Sequence, residues 1–301
     1  MLSRLAAAAL AAICLSAGAD ASAGIPMFCE RGKEVTAAEQ DRVLRFAGAV
    51  KRELEASAQN VALISRAGLD LSRFNLLYSH AGVALKDADS AWTVRQLYYA
   101  CDESRPRLFD QGVPGFALGA DAPGQGHVSL VFLDPDDAGR LEQAARNKPL
   151  ALALLAGRYS ANAYAFGTRY QNCNQWVAEI LASAWGALAG QDKPREQAQA
   201  WLREQGYEAG PVRLTSRWLM FAGQFVPLVH VDDHPVDDIY AMALRVSVPA
   251  SIEDFVHRRS PQARRVELCH DTRHIVVHRG WEALGPGCTP GPGDEIIPLD
   301  S

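Results

Sequence analysis

Apolar residues recur at helical spacing in several stretches of the chain. Thr36-Ala37-Ala38-Glu39 is a capping-box sequence, and the apolar residues behind it predict a helix that runs to about Ala58. Residues 172–189 predict a second, strongly amphipathic helix. Its expected buried stripe contains Trp176, Val177, Ile180, Leu181, Ala184 and Trp185. Further helices are predicted over residues 137–147, 149–156 and 196–205, and a short one begins at Ser251.

Extended runs rich in β-branched and aromatic residues lie between these helices. They cover residues 61–66, 74–85, 92–100 and 127–133. The first three predict an antiparallel meander, and a later pair of runs, residues 265–270 and 274–279, is typical of a hairpin. The expected fold class is therefore α+β, with an antiparallel sheet packed on helices.

The size of the chain is sufficient for one substantial core. It has 301 residues, of which 48% are hydrophobic. We expect a main domain over residues 24–210 and a small α+β appendage over residues 211–301, where an acidic loop and a turn-rich tail change the composition. The net charge of -5, without a basic stripe, excludes nucleic acid as the expected partner.

The first 23 residues have the pattern of a secretory signal peptide. Arg4 precedes an apolar run at residues 5–15, and small residues follow, with cleavage expected near Ala21 to Ala23. The run is shorter than the roughly 20 apolar residues of a membrane-spanning helix. Cys14 could indicate a lipoprotein, but Ile13 stands where that motif needs a small residue. The mature protein is thus expected to be periplasmic or secreted, without a membrane span.

The mature chain would carry an odd number of cysteines, which leaves one thiol to explain outside the cytoplasm. Cys269 and Cys288 lie close together in the chain and are expected to pair, and Cys29 with Cys101 is the second expected pair. Cys173 then remains. It is either a reactive thiol or a buried cysteine that acts as a small hydrophobic residue.

His80 and Cys173 stand in positions that suit thiol chemistry. His80 enters a strand of small and apolar residues, and Cys173 begins a helix, where free N–H groups and the helix dipole favour a thiolate. An imidazole within hydrogen-bond reach would activate this thiolate and later protonate a leaving group.

Gln96 is the predicted third member of this site. A hairpin centred near residue 88 places position 96 opposite His80, so the Gln96 amide oxygen could accept a hydrogen bond from the ring. A register shift of one residue would put Arg95 or Leu97 there instead.

The segments "SHAGVAL" and "NCNQWV" resemble the "SHVGI" and "NCxxFV" segments of circularly permuted NlpC-type papain-like proteins. Over most of its length the chain also resembles DUF2145, a bacterial family of exported proteins with a similar "RYQNCNQWVAE" segment. These resemblances imply a papain-like domain with Cys173 as nucleophile, His80 as base and Gln96 as the orienting residue. The implied activity is hydrolysis or acyl transfer at an amide or ester, with cell-wall peptides as the substrate class.

Other residues offer alternatives to this assignment. His127 also begins a strand and is a competing base. Tyr78, Tyr170 and Asn172 flank the expected site, where they would polarise a carbonyl, shape a pocket, or simply pack and cap.

Two other functions remain open at the level of sequence. The first is a non-catalytic binding module that keeps the papain-like frame, with an inert Cys173. The second is metal binding through crowded C-terminal side chains, although a solvated charged loop explains them better and no cofactor is predicted. These side chains are His230, Asp232, Asp233, His234, His270, His274 and His278.

Overall fold

The computed structural model describes residues 35–119, 124–223 and 225–299. The predicted signal peptide and Cys29 lie outside these ranges. Within them, no helix combines the length and the apolar character that a membrane crossing requires.

The described residues contain nine α-helices and ten β-strands. The helices are α1 (Ala37–Ala56), α2 (Val113–Leu118), α3 (Pro135–Arg146), α4 (Lys148–Ala153), α5 (Cys173–Trp185), α6 (Pro194–Glu204), α7 (Arg217–Gly223), α8 (Val236–Ala241) and α9 (Pro249–Arg259). The strands are β1 (Val61–Arg66), β2 (His80–Lys86), β3 (Trp92–Ala100), β4 (Arg105–Gly112), β5 (Gly126–Phe132), β6 (Pro211–Arg213), β7 (Ala243–Arg245), β8 (Arg264–His270), β9 (His274–Arg279) and β10 (Glu295–Pro298).

Among the described residues, eight strands form one large antiparallel sheet in the order β10-β9-β8-β5-β1-β2-β3-β4. This confirms the α+β class and the sheet packed on helices. The predicted C-terminal appendage is wrong in one respect, because β8 pairs with β5 from Gly126 opposite His270 to Phe132 opposite Arg264. Residues 264–298 therefore extend the main sheet, and the pairing covers an edge of β5 that would otherwise be left open.

The sheet has a hydrophobic core on each face, because side chains alternate along a strand. Val83 and Leu85 face the core that contains α3, α5 and α9, whereas Ala84 and Val94 face the core that contains α1 and α2. The molecule thus has three layers, helices on both sides of one sheet.

The helices predicted after Thr36 and from residue 172 are both present, as α1 and α5, but their surroundings differ. The capping box of α1 is present, since Thr36 N donates to Glu39 Oε2 at 2.8 Å and Glu39 N donates to Thr36 Oγ1 at 3.3 Å. Every residue of α5 is buried, so this helix is not amphipathic in the folded chain. The sheet lies on one side of α5, and α3, α6 and α9 cover the others.

The predicted disulfide between Cys269 and Cys288 is confirmed, with 5.7 Å between the Cα atoms. Cys101 is also disulfide-bonded. Its expected partner, Cys29, lies outside the described residues. Among the described cysteines, Cys173 is the free thiol, as expected.

Candidate functional site

Cys173 lies at the first position of α5 and is 5% exposed. Asn172 caps the helix, since its side-chain oxygen accepts a hydrogen bond from Gln175 N at 2.7 Å. The Asn172 amide also donates to the carbonyl oxygens of Ala161 and Ser247. The capping alternative for Asn172 is therefore confirmed, and these bonds fix the start of the helix against two other segments.

A buried ionic network lies one to two turns behind Cys173. Glu179, which is fully buried in α5, forms two hydrogen bonds with Arg195, at 2.9 and 3.0 Å, and accepts one each from Gln171 and Gln199 at 2.7 Å. Arg195 also donates to the carbonyl of Tyr170, just before the site. Burial raises the pKa of Glu179 even against these partners. The network holds the loop that leads into Cys173.

The sequence contained one signal for this network. Glu179 is a single charge within the apolar segment from Trp176 to Trp185, and a buried charge requires a partner. Its partner, Arg195, is 16 residues away in a different helix. No local sequence pattern assigns a role to either residue.

The thiol of Cys173 faces the backbone where β2 begins. Its Sγ lies 4.0 Å from Ser79 O and 3.6 Å from Asn174 Oδ1, and the N–H of Ala81 favours its thiolate form. Asn174 Nδ2 donates to Ser79 O at 3.2 Å, which joins the helix start to the strand. Burial, together with the neighbouring Cys173, raises the pKa of the Tyr159 hydroxyl.

The predicted thiolate is not the resting state of this group. Burial raises the pKa of Cys173 to about 11, although the N–H groups of Ala81, Asn174 and Cys173 itself and the charge of Arg66 act in the opposite direction. The helix start does favour the thiolate, as expected. The removal of water from a fully covered helix outweighs this contribution.

His80, at the start of β2, contacts Gln96 as predicted. His80 Nε2 lies 2.5 Å from Gln96 Oε1, and Gln96 Nε2 donates to Gln111 Oε1 at 2.9 Å. Since an amide oxygen only accepts hydrogen bonds, Nε2 carries the proton and Nδ1 carries the lone pair.

The register behind this contact differs from the predicted one. Val83 lies opposite Arg95, so continuing the register places Gln96 opposite Gly82 and diagonal to His80. The difference is two residues, which keeps Gln96 on the same face as His80. A Cβ atom at Gly82 would lie 2.7 Å from Val94 Cγ1 and 3.0 Å from Arg95 O. Gly82 thus permits the close strand approach that brings Gln96 to His80.

The imidazole of His80 is neutral over most of the pH range. Burial lowers its pKa to about 3, and the charge of Arg66, the residue opposite His80 on β1, acts in the same direction. The hydrogen bond to Gln96 opposes this shift only in part. At neutral pH the site therefore contains a neutral thiol and a neutral imidazole.

The two groups are held on different faces of the sheet. Cys173 packs in the same core as Ala81 and Val83, whereas the His80 ring lies 5.9 Å from the ring of Phe116, a member of the other core. Among the hydrogen bonds of the described residues, none joins Cys173 to His80. Both side chains nevertheless meet the same short segment, where β2 begins.

Tyr78 supports this segment from a second buried charged cluster. Its hydroxyl donates to Glu267, which pairs with Arg265 at 3.3 Å, and Arg265 also pairs with Glu253 at 3.0 Å. No pattern in the sequence had identified these three charged residues as a cluster. Tyr170 stacks on His230 with 4.4 Å between ring centroids, and its role in the fold is packing.

His127 lies on β5, where its side-chain Nε2 is 3.3 Å from Gln125 Nε2 and its backbone oxygen accepts a hydrogen bond from Ala67 N at 3.0 Å. Burial lowers the pKa of His127. The contacts of Cys173 within the described ranges do not include His127. The geometry therefore gives this histidine no place beside the thiol.

The C-terminal histidines bind to separate partners. His234 Nε2 lies 2.7 Å from Asn162 O, His274 Nε2 lies 3.3 Å from Cys288 O, and His278 Nδ1 lies 2.7 Å from Asp294 Oδ1. Within the part of the chain that the structure describes, no three His, Cys, Asp or Glu side chains are grouped as metal ligands.

Comparison with protein families identifies the wider group. A family model described as an uncharacterized protein conserved in bacteria (DUF2145) matches residues 53–256. The chain belongs to this family. The match spans β1 to most of α9 and includes His80, Gln96, Cys173 and Glu179. No curated protein and no solved structure matches the chain.

Proposed function

We propose that this DUF2145 protein is an exported cysteine hydrolase or acyltransferase that acts on an amide or ester bond through Cys173 and His80. The hydrogen bond from His80 Nε2 to Gln96 carries the proposal, because it orients the ring and leaves the Nδ1 lone pair free to accept a proton. The disulfide between Cys269 and Cys288 supports an oxidising compartment, periplasmic or secreted.

The neutral resting state favours general-base chemistry over a preformed ion pair. His80 Nδ1 would take the thiol proton as Cys173 Sγ attacks the carbonyl carbon, and it would return that proton to the leaving group as the thioester forms. Water, or an acyl acceptor, would then release the acyl group by the same route. Arg66 favours the thiolate electrostatically, and the N–H groups at the start of α5 would bind the oxyanion.

This mechanism requires His80 Nδ1 and Cys173 Sγ to approach each other at the start of β2. The segment from Ser79 to Ala81 joins them, since it contacts the sulfur and carries the imidazole. A papain-like arrangement and cell-wall peptides as substrates belong to the same proposal, and both depend on the resemblance to NlpC-type proteins.

The second candidate is a non-catalytic binding module, and the burial of Cys173 favours it. A thiol that is 5% exposed with a pKa of about 11 is a poor nucleophile at neutral pH. A cavity of about 690 Å³ lies elsewhere, between the loop before β6, α8 and α9, and could hold a ligand. Its lining includes Leu76, Phe166, Tyr207 and Arg245, but neither Cys173 nor His80.

The rate of Cys173 alkylation by iodoacetamide in the native, oxidised protein distinguishes these candidates. A thiol that ionises alone should react about tenfold more slowly for each pH unit below its pKa. Labelling that persists below pH 7, and that His80→Ala slows, would support the hydrolase. The exposed His257 provides a matched control, because His257→Ala should leave the rate unchanged.

Two outcomes would count against the paired mechanism. Labelling that His80→Ala does not affect would remove the imidazole from the reaction. Labelling that occurs only after denaturation would show that Cys173 is a buried structural cysteine. The non-catalytic binding module would then be the favoured function.

A further inference from the structure

Helix α7 differs from the other helices in its exposure to solvent. None of its seven residues is buried, although it includes Trp218, Leu219, Met220 and Phe221. Trp218 is 78% exposed, Phe221 51% and Phe225 72%. Soluble proteins rarely present large aromatic side chains to water in a continuous group unless something covers them.

The three aromatic rings form one patch. The Trp218 and Phe221 centroids are 5.8 Å apart, and those of Phe221 and Phe225 are 5.2 Å apart. We call Trp218, Phe221 and Phe225 the aromatic patch. Its rings pack on one another and present a single apolar surface outward.

The chain segment that carries the aromatic patch is hydrogen-bonded to the rest of the fold before and after the patch. Before α7, Leu214 N donates to Met242 O at 2.8 Å. After it, Leu228 O accepts from Ala161 N at 2.7 Å, and His230 stacks on Tyr170. The fold therefore supports the segment that carries the patch from two sides.

The charge around the patch differs from that of the whole protein. Residues 209–231 contain Arg213 and Arg217 and no Asp or Glu, whereas the chain has a net charge of -5. Exposed Trp and Phe next to Arg suit the interface of an anionic bilayer, where rings occupy the headgroup region and guanidinium groups meet phosphates. A two-fold contact of this segment with a second copy would instead place four arginines in one interface, without an Asp or Glu from residues 209–231 to pair with them.

We propose that the aromatic patch, flanked by Arg213 and Arg217, docks the protein on the surface of an anionic lipid bilayer. The rings enter the headgroup region, and the two arginines bind lipid phosphates. This inference does not depend on the proposed hydrolase activity, because neither Cys173 nor His80 takes part in it.

Co-sedimentation of the full mature protein with vesicles tests the proposal. Vesicles of phosphatidylglycerol and phosphatidylethanolamine should bind the protein, and vesicles of phosphatidylcholine alone should bind it much less. The triple variant Trp218→Ser, Phe221→Ser, Phe225→Ser should weaken binding about tenfold or more, because it removes the apolar surface that enters the lipid. Arg213→Gln with Arg217→Gln should remove the preference for phosphatidylglycerol, as should high salt.

Tyr240 is the matched control, because it is 76% exposed and lies outside the patch. Tyr240→Ser should bind vesicles as the native protein does. Absence of binding to the anionic vesicles, or equal binding by the triple variant, would overturn the proposal. A concentration-dependent dimer in light scattering that the triple variant abolishes would assign the patch to a second copy, and would overturn it as well.

Discussion

The Cys173 and His80 halves of the candidate site are held by different kinds of interaction. Cys173 depends on an ionic anchor, the Glu179–Arg195 pair, which also binds the backbone of the preceding loop. His80 depends on a chain of neutral amides, Gln96 and then Gln111, on the other face of the sheet. Removing one partner of a buried ion pair lowers the free energy of unfolding strongly, because the other charge stays buried without a partner. Removing one partner of a neutral amide hydrogen bond lowers it less.

Burial affects the two halves in opposite directions. It raises the pKa of the thiol and lowers the pKa of the imidazole, because it disfavours the charged form of each. Arg66 reinforces the effect at His80 and opposes it at Cys173. The fold consequently keeps both the thiol and the imidazole neutral.

The largest expected effect comes from breaking the ionic anchor. Glu179→Gln leaves the buried Arg195 charge without its carboxylate, so the free energy of unfolding should fall by about 3–5 kcal/mol. Urea denaturation measures this loss. The control is Glu196→Gln in the exposed pair with Lys193, where the change should be below about 1 kcal/mol. Equal losses in both variants would mean that Glu179 does not anchor the helix.

Alkaline pH should destabilise the Cys173 half. The thiol pKa is near 9 when unfolded and about 11 when folded, so the unfolded state loses its proton first. The contribution of the neutral thiol to the free energy of unfolding is complete below pH 9. About 3 kcal/mol of this contribution is lost as the pH rises through 11. Unfolding curves at pH 8 to 11 for native protein and Cys173→Ala should diverge by most of this amount. Parallel curves would contradict the assigned burial of the thiol.

The sequence predicted the features that depend on neighbouring residues. The capping box at Thr36, the helix start at Cys173 and the strand at His80 are local patterns, and each is present. Gln96 was identified from a register that was wrong by two residues, because the alternation of a strand preserves the face under that shift.

Features that depend on residues far apart in the sequence could not be predicted from local patterns. Nothing near Glu179 specifies Arg195, and nothing in the C-terminal hairpin specifies that β8 joins β5. The pKa of Cys173 follows from the cover of α5 by α3, α6 and α9, which is a tertiary property. The sequence therefore located Cys173 and His80 as candidate site residues, whereas their protonation states follow from the structure.

A smaller effect is expected from closing the space at Gly82. In Gly82→Ala the new methyl group would clash with Val94 and with the Arg95 carbonyl, at a cost of about 1–3 kcal/mol. Gly48 in α1 is the control, since a Cβ there meets no atom within 4 Å. Gly48→Ala should stabilise the protein by up to about 1 kcal/mol. Thermal unfolding of both variants checks the signs. A neutral Gly82→Ala would mean that the strands can separate there without cost.

The smallest expected change in stability comes from the amide that holds His80. Gln96→Ala removes the acceptor of the buried Nε2 proton, so it should cost about 1–2 kcal/mol. It should also release the ring to adopt either tautomer, which nitrogen chemical shifts of His80 would detect as a mixture in place of the single Nε2–H form. Gln111→Ala keeps the His80 contact and should retain the single tautomer. If Gln96→Ala leaves both the tautomer and the His80-dependent labelling of Cys173 unchanged, Gln96 does not position the base.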